Sequence, residues 1–456
     1  MKKTFACVVM VLMVLFLAGI VLDHAVPKAS AAEPKQGGRV VFYYGWDPGH
    51  FDHQMLQSYK TQYYTSWTNA KLTTSKMGGD VGSYEFIVVP DLAIKWEHLS
   101  PTEIVYTLRK GAKWQNRPPM NAREITADDI KYSFDRIFKI KSPNRTKFDV
   151  IKSIEVLDRY RVKFTLKAPF APFIKYMSTT YAAIVPKEVV EKFGDLKKWE
   201  AAIGAGPWII KEYKRNEYIT YVRNPDYYDK DKPYLDEVHC PIINQLEVRT
   251  AAFRTKQIDI VGYWDYDQVK AFQKKNPEVK IHEYYSNSYF RFIFACDRPP
   301  FNDKRVRQAA SMCIDRQKLT DAVFGGLGVF EGYVARSCWG HLPPDKLGEG
   351  KKYFYPDVEA AKKLVKAAGY KLPVNITLEY TNAYTASYRA GGEALIGMLD
   401  ASGVFKVKPV IKEYGAYIKS TFVGKYSGDC GYILTTPPIE ADGFLWNRFC
   451  IRLFKW

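Results

Sequence analysis

The stretch "PPFNDKRVRQAASMCIDR", residues 299–316, decides how the rest of the chain is read. It holds Lys304, Arg305, Arg307 and Arg316, in a chain with 67 Lys+Arg against 49 Asp+Glu and a formal net charge of +18. A basic helix on a basic protein suggests nucleic acid, but the spacing argues against it. Pro299-Pro300 blocks an earlier helix start, and Asn302 or Asp303 can cap. Val306, Ala309, Ala310, Cys313 and Ile314 then fall at i, i+3, i+4, i+7 and i+8, which is the buried face of a packed helix. The basic residues lie mostly off that face, as solvated or ion-paired side chains. No nucleic-acid partner is expected.

The amino terminus sets the compartment. Lys2 and Lys3 precede an almost unbroken apolar run, Thr4 to Leu22, and "KASAAEP" places Ala29 and Ala31 in the small-x-small pattern of a cleavage site. Cleavage after Ala31 or Ala32 is expected, with residues 1–31 as a signal peptide. The alternative is an uncleaved anchor, because the run is near the minimum for a bilayer span. No Cys stands between the run and the cleavage site or directly after it, so a lipid-anchored mature Cys is not expected. Residues 1–31 carry Lys2, Lys3 and Lys28 against Asp23, which leaves the mature chain about +16 of its +18. In an exported protein that excess reads as a solvated basic surface, able to face anionic headgroups.

About 425 mature residues are too many for one core, so two or three domains are expected. With 47% hydrophobic and 15% aromatic residues, the chain is not disordered. Cys240, Cys296, Cys313, Cys338, Cys430 and Cys450 show no C-x-x-C spacing, which argues against zinc. Disulfides are permitted outside the cytoplasm, and the sequence does not choose between them and buried thiols.

The pattern alternates strands and helices. "GGRVVFYYGWDP" (37–48) and "TEIVYTLRKGAKW" (102–114) read as strands, the second turning at Gly111. "TADDIKYSFDRIF" (126–138) reads as a helix with Thr126 as N-cap and Asp129 at the capping-box position. "SIEVLDRYRVKFTLKAP" (153–169) and "GAGPWIIKEYKRNEYITYVRNPDYY" (204–228) read as hairpins. "YPDVEAAKKLVKAAGY" (355–370) is a helix capped by Asp357 and Gly369, and "NITLEYT" (375–381) an alternating strand.

Taken together, these blocks resemble the family 5 extracellular solute-binding proteins, the peptide/nickel class of ABC importer receptors. "GGRVVFYY…WDPGHFDHQ", with Phe51-Asp52-His53-Gln54, is similar to the family's opening strand and turn. "PDLAIKWEH…YTLRKGAKWQNRPPMNAREITADDIKYSFDRI" (90–137) resembles its longest signature. "GAGPWIIKEYKRNEYITYVRNPDYY…PYLDEV" and "PPFNDKRVRQAASMCIDR" resemble two more, in family order from about residue 36 to 370. The resemblance implies an α/β fold, two-lobed and periplasmic-binding-protein-like (class II, cluster C type), with an extra domain inserted in lobe 1. Lobe 1 is placed at 36–72 and 188–285, the inserted domain at 73–187, and lobe 2 at 286–456. Family members run on past the point where this chain stops, at "NRFCIRLFKW". Lobe 2 is therefore expected to be incomplete, the C-terminal part truncated, and the product poorly stable.

Departures from the family pattern matter. Trp114-Gln115-Asn116-Arg117-Pro118-Pro119 lacks the usual Gly turn. Peptide-binding members carry an Asp that pairs with the peptide's α-amine. Here "GDCGYILTTPP" (428–438) places Thr435 near that position and Tyr432 at the preceding Trp. A sugar, a modified peptide or an amphipathic cation then competes with a free peptide as ligand.

No nucleophile elbow, Walker loop or H-E-x-x-H occurs. His50, Asp52 and His53 in "GHFDH" are weak metal candidates, since nickel binders exist in the family. A turn with hydrogen-bonded imidazoles explains them as well, and no metal or other cofactor is assigned. Aromatic rings with a polar handle suit stacking on a small guest. The candidate ligand-binding residues are Trp46, Tyr285, Asn287, Tyr289, Trp339 and Tyr432. The expectation is a non-enzymatic, monomeric, periplasmic receptor for a peptide-like or other small solute, which partners an ABC permease. It would meet the membrane only through that permease or an uncleaved signal anchor. The alternatives are an exported hydrolase with an aromatic-lined cleft, a nickel or metal-complex binder, and a structural surface protein.

Overall fold

The computed structural model describes residues 34–435, apart from 57–58, 79–80, 83–84, 263–265, 284–287, 333, 335, 337, 339 and 423. The signal segment and the terminal "NRFCIRLFKW" lie outside these residues.

Three four-stranded sheets each carry their own core. The first has the order β1 (Arg39–Val41), β10 (Glu237–Pro241), β9 (Tyr218–Arg223), β8 (Trp208–Lys214). β1 runs parallel to β10, and the other pairs are antiparallel. Between β8 and β9 the "KRNE" turn closes with the Glu217 N–H donating to the Lys214 carbonyl, and Asn216 takes the left-handed conformation that Asn tolerates. Tyr44, Tyr64, Trp208, Ile210, Tyr221 and Val238 fill this core.

The second sheet is antiparallel, ordered β4 (Ala93–Ser100), β5 (Glu103–Leu108), β7 (Arg161–Leu166), β6 (Ile151–Asp158). A short ribbon of β2 (Thr73–Ser75) and β3 (Val88–Pro90) precedes it. The helix Ala127–Lys139 buries Ile130, Phe134 and Ile137 against it, as the spacing predicts, and the Asp129 carboxylate accepts the Thr126 N–H at 2.9 Å.

The third sheet is ordered β11 (Phe290–Phe294), β14 (Cys430–Leu434), β12 (Val374–Thr381), β13 (Phe405–Lys412). β12 is parallel to both neighbours, while β11 is antiparallel to β14. The alternation expected for "NITLEYT" holds only for its first half. From Leu378 to Thr381 the strand is buried or nearly so on both faces, as a central parallel strand must be.

The opening stretch holds one helix and the start of a second, rather than one continuous helix. The first, Lys304–Met312, is capped by Asp303, whose carboxylate accepts the Arg305 N–H at 2.7 Å. The second, Arg316–Phe324, is capped by Asp315. Val306, Ala309, Ala310, Cys313 and Ile314 are all buried. The three arginines hold the chain together instead of facing a polyanion. Arg305 donates to Asp303 and the Ala367 carbonyl, Arg307 to the carbonyls of Phe301 and Asn302, and Arg316 to Ser311 and the Phe354 carbonyl.

Two buried ion pairs fix the halves internally. Asp52, fully buried, binds Arg136 at 2.6 Å, and Arg136 also donates to the Gln54 side chain at 2.7 Å. These bonds fasten the 51–55 turn to the second sheet's helix. Glu379 on β12 is 1% exposed and accepts from Lys412 on β13 at 2.6 Å, Thr421 at 2.7 Å, the Ser427 hydroxyl at 2.8 Å and the Gly428 N–H at 2.7 Å. Burial alone would raise the Glu379 carboxyl. The donors outweigh burial and hold it at about 2. Cys240, Cys296, Cys313, Cys338 and Cys430 are free thiols. No helix among the described residues is long and apolar enough to cross a membrane.

Arg136→Ala would strand the Asp52 carboxylate in the interior, and is expected to cost about 3–5 kcal/mol. The urea midpoint reads this directly, and an unchanged midpoint would refute it. Glu379 has a folded pKa below its unfolded value of about 4.3, so its stabilisation is complete above that pH and is lost as pH falls toward 2. Melting temperature should therefore fall more steeply below pH 4.3 in the parent chain than in Glu379→Gln. Parallel slopes would reject this role.

Candidate functional site

In open α/β sheets, ligands bind beyond the carboxyl ends of the parallel strands, where the strand order reverses. The third sheet has such a point. From β12 the chain crosses to β13 on one side and then returns to β14 on the other. The carboxyl ends of all three strands, at Thr381, Lys412 and Leu434, therefore share one edge. Because β11 runs antiparallel to β14, its beginning lies at that same edge. The Thr435 N–H donates to the Tyr289 carbonyl at 3.0 Å, and the Tyr289 N–H donates to the Thr435 hydroxyl at 3.1 Å.

Alternation along β11 separates two kinds of side chain. Phe290 packs into the core against Tyr388 and Tyr432. Tyr289 and Arg291 take the other face, where the guanidinium lies 4.3 Å from the Tyr289 ring centroid and donates to its hydroxyl. Burial pushes the Tyr289 phenol above its ordinary range, despite Arg291 beside it, and Cys338 and Glu331 are close enough to add to the rise. Glu331 binds Arg336 at 2.9 Å and lies 3.3 Å from His341, whose Nδ1 contacts the Val334 carbonyl at 2.8 Å. Tyr384 and Tyr414 follow the ends of β12 and β13, with ring centroids 5.7 Å apart, and Tyr414 is exposed. This edge carries two guanidinium groups, the carboxylates of Glu331 and Glu413, an imidazole and phenols, and Glu413 accepts the Ala416 N–H at 3.1 Å.

The first sheet has a smaller edge of the same kind, at the carboxyl ends of parallel β1 and β10. Asp47 accepts from the Tyr213 hydroxyl at 2.7 Å and the Asn216 N–H at 2.6 Å, and the Tyr64 hydroxyl donates to the Trp46 carbonyl at 2.7 Å. The turn is thereby fixed while the Trp46 indole stays exposed. Arg249 sits 4.7 Å from the Tyr43 ring centroid and has no carboxylate partner among the described residues.

Residues 88–449 match the model of the bacterial extracellular solute-binding proteins, family 5 Middle. This chain belongs to that family. The dipeptide-binding protein of Escherichia coli is 27% identical to this family 5 chain over 406 residues, covering 81% of the chain and 74% of the relative. Di/tripeptide-binding protein 2 of Pseudomonas aeruginosa is 28% identical over 367 residues, covering 74% of the chain and 66% of the relative. The structure of the periplasmic binding protein DppA from Helicobacter pylori, in complex with the peptide STSA, superposes with a TM-score of 0.70 at 22% identity. That match covers 91% of this chain and 81% of the other. The fold is thus the two-lobed one of periplasmic binding proteins.

Of the residues expected to bind ligand, Trp46 and Tyr289 lie at the two edges. Tyr285, Asn287 and Trp339 fall outside the described residues. Tyr432 needs correcting: it is 2% exposed, and its ring packs between Tyr388, at 4.8 Å, and Phe290, at 5.8 Å. The cause is Gly391-Gly392 in the helix Ala386–Ala401, which lets β14 approach. A Cβ at Gly391 would stand 2.3 Å from the Tyr432 hydroxyl. His50, Asp52 and His53 do not build a metal site either. Asp52 is held by Arg136, the His53 ring meets Asn69 at 3.1 Å and the Ala183 carbonyl at 3.3 Å, and His50 accepts the Asp52 N–H. Burial lowers the pKa of both imidazoles, so they serve as neutral packing groups. Sequence reasoning missed Arg249, Arg291, Glu331, Arg336, His341, Tyr384 and Tyr414. Position just beyond a strand's carboxyl end was the available signal for Tyr384 and Tyr414.

Gly→Ala in a helix interior ordinarily gains about 1 kcal/mol, whereas overpacking a core costs about 1–3 kcal/mol. Gly391→Ala should therefore lower the melting temperature. Gly397→Ala, in the same helix with open space at its Cβ, should raise it slightly. A rise in both would mean that Tyr432 does not pack where described.

Proposed function

We propose that this chain is the substrate-binding component of an ABC importer. It captures a small, carboxylate-bearing solute of peptide-like character outside the cytoplasmic membrane and delivers it to a permease. Family membership supports a binding role, and the names of the relatives favour peptides. The observation that carries the reading is the third-sheet edge, where Arg291 lies against Tyr289 and the Arg336–Glu331–His341 cluster is close enough for Glu331 to influence the Tyr289 phenol. In this reading the Trp46–Tyr43–Arg249 edge of the first sheet serves as the second wall. A guest that touches both walls only when the lobes are closed shifts the population toward closure. Binding requires no bond-breaking.

The polar balance also selects the guest. The carboxylates at these edges are already engaged, Glu331 by Arg336, Asp47 by Tyr213 and Asn216, and Glu413 by the Ala416 N–H, whereas Arg249 has no carboxylate partner among the described residues, and a fork-shaped donor suits a planar carboxylate. Thr435, which the family resemblance places near the Asp of peptide-binding members, is buried and bonded to Tyr289. Recognition therefore rests on the carboxylate end of the guest more than on its ammonium.

Calorimetry with a dipeptide panel tests this. N-acetylation should change affinity by less than about threefold, and C-terminal amidation should weaken it by at least about tenfold, or 1.4 kcal/mol. Trp46→Ala should cost about 1–3 kcal/mol in binding without altering the melting temperature. Loss of binding on acetylation, with amidation neutral, would overturn the assignment.

A further inference from the structure

A hollow of about 390 Å³ opens between the turn that follows β5 and the segment that follows β9. Arg109, Lys110 and Lys113 line one side, and Asp226, Tyr228 and Lys230 the other. Gly111, at φ 75°, turns the chain so that lysines before and after it reach the same space. Four cations thus meet one carboxylate, and none of the four belongs to an ion pair among the described residues.

The neighbouring carboxylates are committed elsewhere. Glu124 accepts from Arg159 at 2.9 Å, from Tyr160 at 3.1 Å and from the Gly111 N–H at 2.6 Å. Asp229 pairs with Lys232 at 3.2 Å; Asp91 accepts the Lys71 N–H at 3.0 Å through its carboxylate, and its carbonyl takes only a long 3.5 Å contact from Arg109, whose charge nonetheless acts on that buried carboxyl. The lysines make only weak contacts: Lys230 donates to the Pro225 carbonyl at 3.2 Å, and Lys110 lies 5.5 Å from the Tyr160 ring centroid. Arg109 is different. Its guanidinium lies 5.0 Å from the Tyr228 ring centroid, which holds it in place, and its Nε is inaccessible without a hydrogen-bond partner.

We propose that this hollow binds a phosphate-bearing anion. Stacking positions the planar fork of Arg109 before the ligand arrives, and three lysine ammonium groups add mobile point charges around it. A carboxylate monoanion would leave most of that charge uncompensated, whereas a phosphoryl group with two or more charges would balance it. The site is distinct from the two sheet edges and does not depend on the solute they take. The phosphoryl group could belong to a soluble phosphate ester or to a phospholipid headgroup.

The test is calorimetry of the full chain with inorganic pyrophosphate at low salt, where surface electrostatics are least screened. Saturable binding of one anion per chain is expected. Lys113→Glu with Lys230→Glu, both at exposed positions, should weaken it by at least about tenfold without lowering the melting temperature of the free protein. Lys363→Glu with Lys366→Glu, on the helix Val358–Ala367, makes the same change in net charge and should leave affinity within about twofold. No saturable binding, or equal weakening by the two pairs, would overturn the proposal. Sedimentation with phosphatidylglycerol vesicles identifies the source. Binding that pyrophosphate displaces and Lys113→Glu/Lys230→Glu abolishes assigns a headgroup, and pyrophosphate binding without vesicle binding assigns a soluble ester.

Discussion

The geometry of the third-sheet edge depends on one buried carboxylate. Glu379 lies on the central strand, and its donors come from β13 and from the segment that leads into β14. A charge at that depth is tolerated only because every oxygen is met by a donor. The consequence is geometric. Strands far apart in sequence are held with their carboxyl ends level, and β11 then meets β14 so that Tyr289 and Thr435 bond to each other. Asp52 and Arg136 act similarly in the other half, where they fix the turn that follows the exposed Trp46.

Much of the fold was legible because its signals are local. The capping box at Thr126, the Asp357 cap and the two hairpins each depend on residues a few positions apart. The stretch 299–316 shows where local reasoning stops. Periodicity identified the buried residues correctly, yet it could not distinguish one long helix from two short helices sharing a core, because Asp315 reads equally as a surface residue or as a cap. Nor could it show that Arg316 would turn toward backbone carbonyls. Alternation along β12 failed past Leu378 for a related reason. Burial on both faces depends on partners more than 25 residues away, and nothing within the strand reports them.

The binding edges were less legible. Trp46 and Tyr289 follow from strand endings and aromatic character. Arg249, Arg291, Glu331 and Arg336 do not, because a charged residue meant for a ligand looks like any solvated one until the topology places it. Tyr432 misled for the opposite reason. An aromatic near a family ligand position looks like a binding wall, but the decisive residues were two glycines some forty positions earlier, which open a socket in a helix.

That socket has a chemical consequence. The Tyr432 hydroxyl is buried and has no hydrogen-bond partner among the described residues, while the neighbouring hydroxyls of Tyr388 and Tyr417 both donate to the Tyr432 carbonyl. Phenylalanine would fill the same ring volume, relieve the crowding at Gly391 and remove the cost of a dry polar atom, which is about 1–3 kcal/mol. Packing alone therefore does not account for an oxygen at this position. The interior of this half holds a latent acceptor and donor within one ring's width of Phe290, the residue between the two that form the rim.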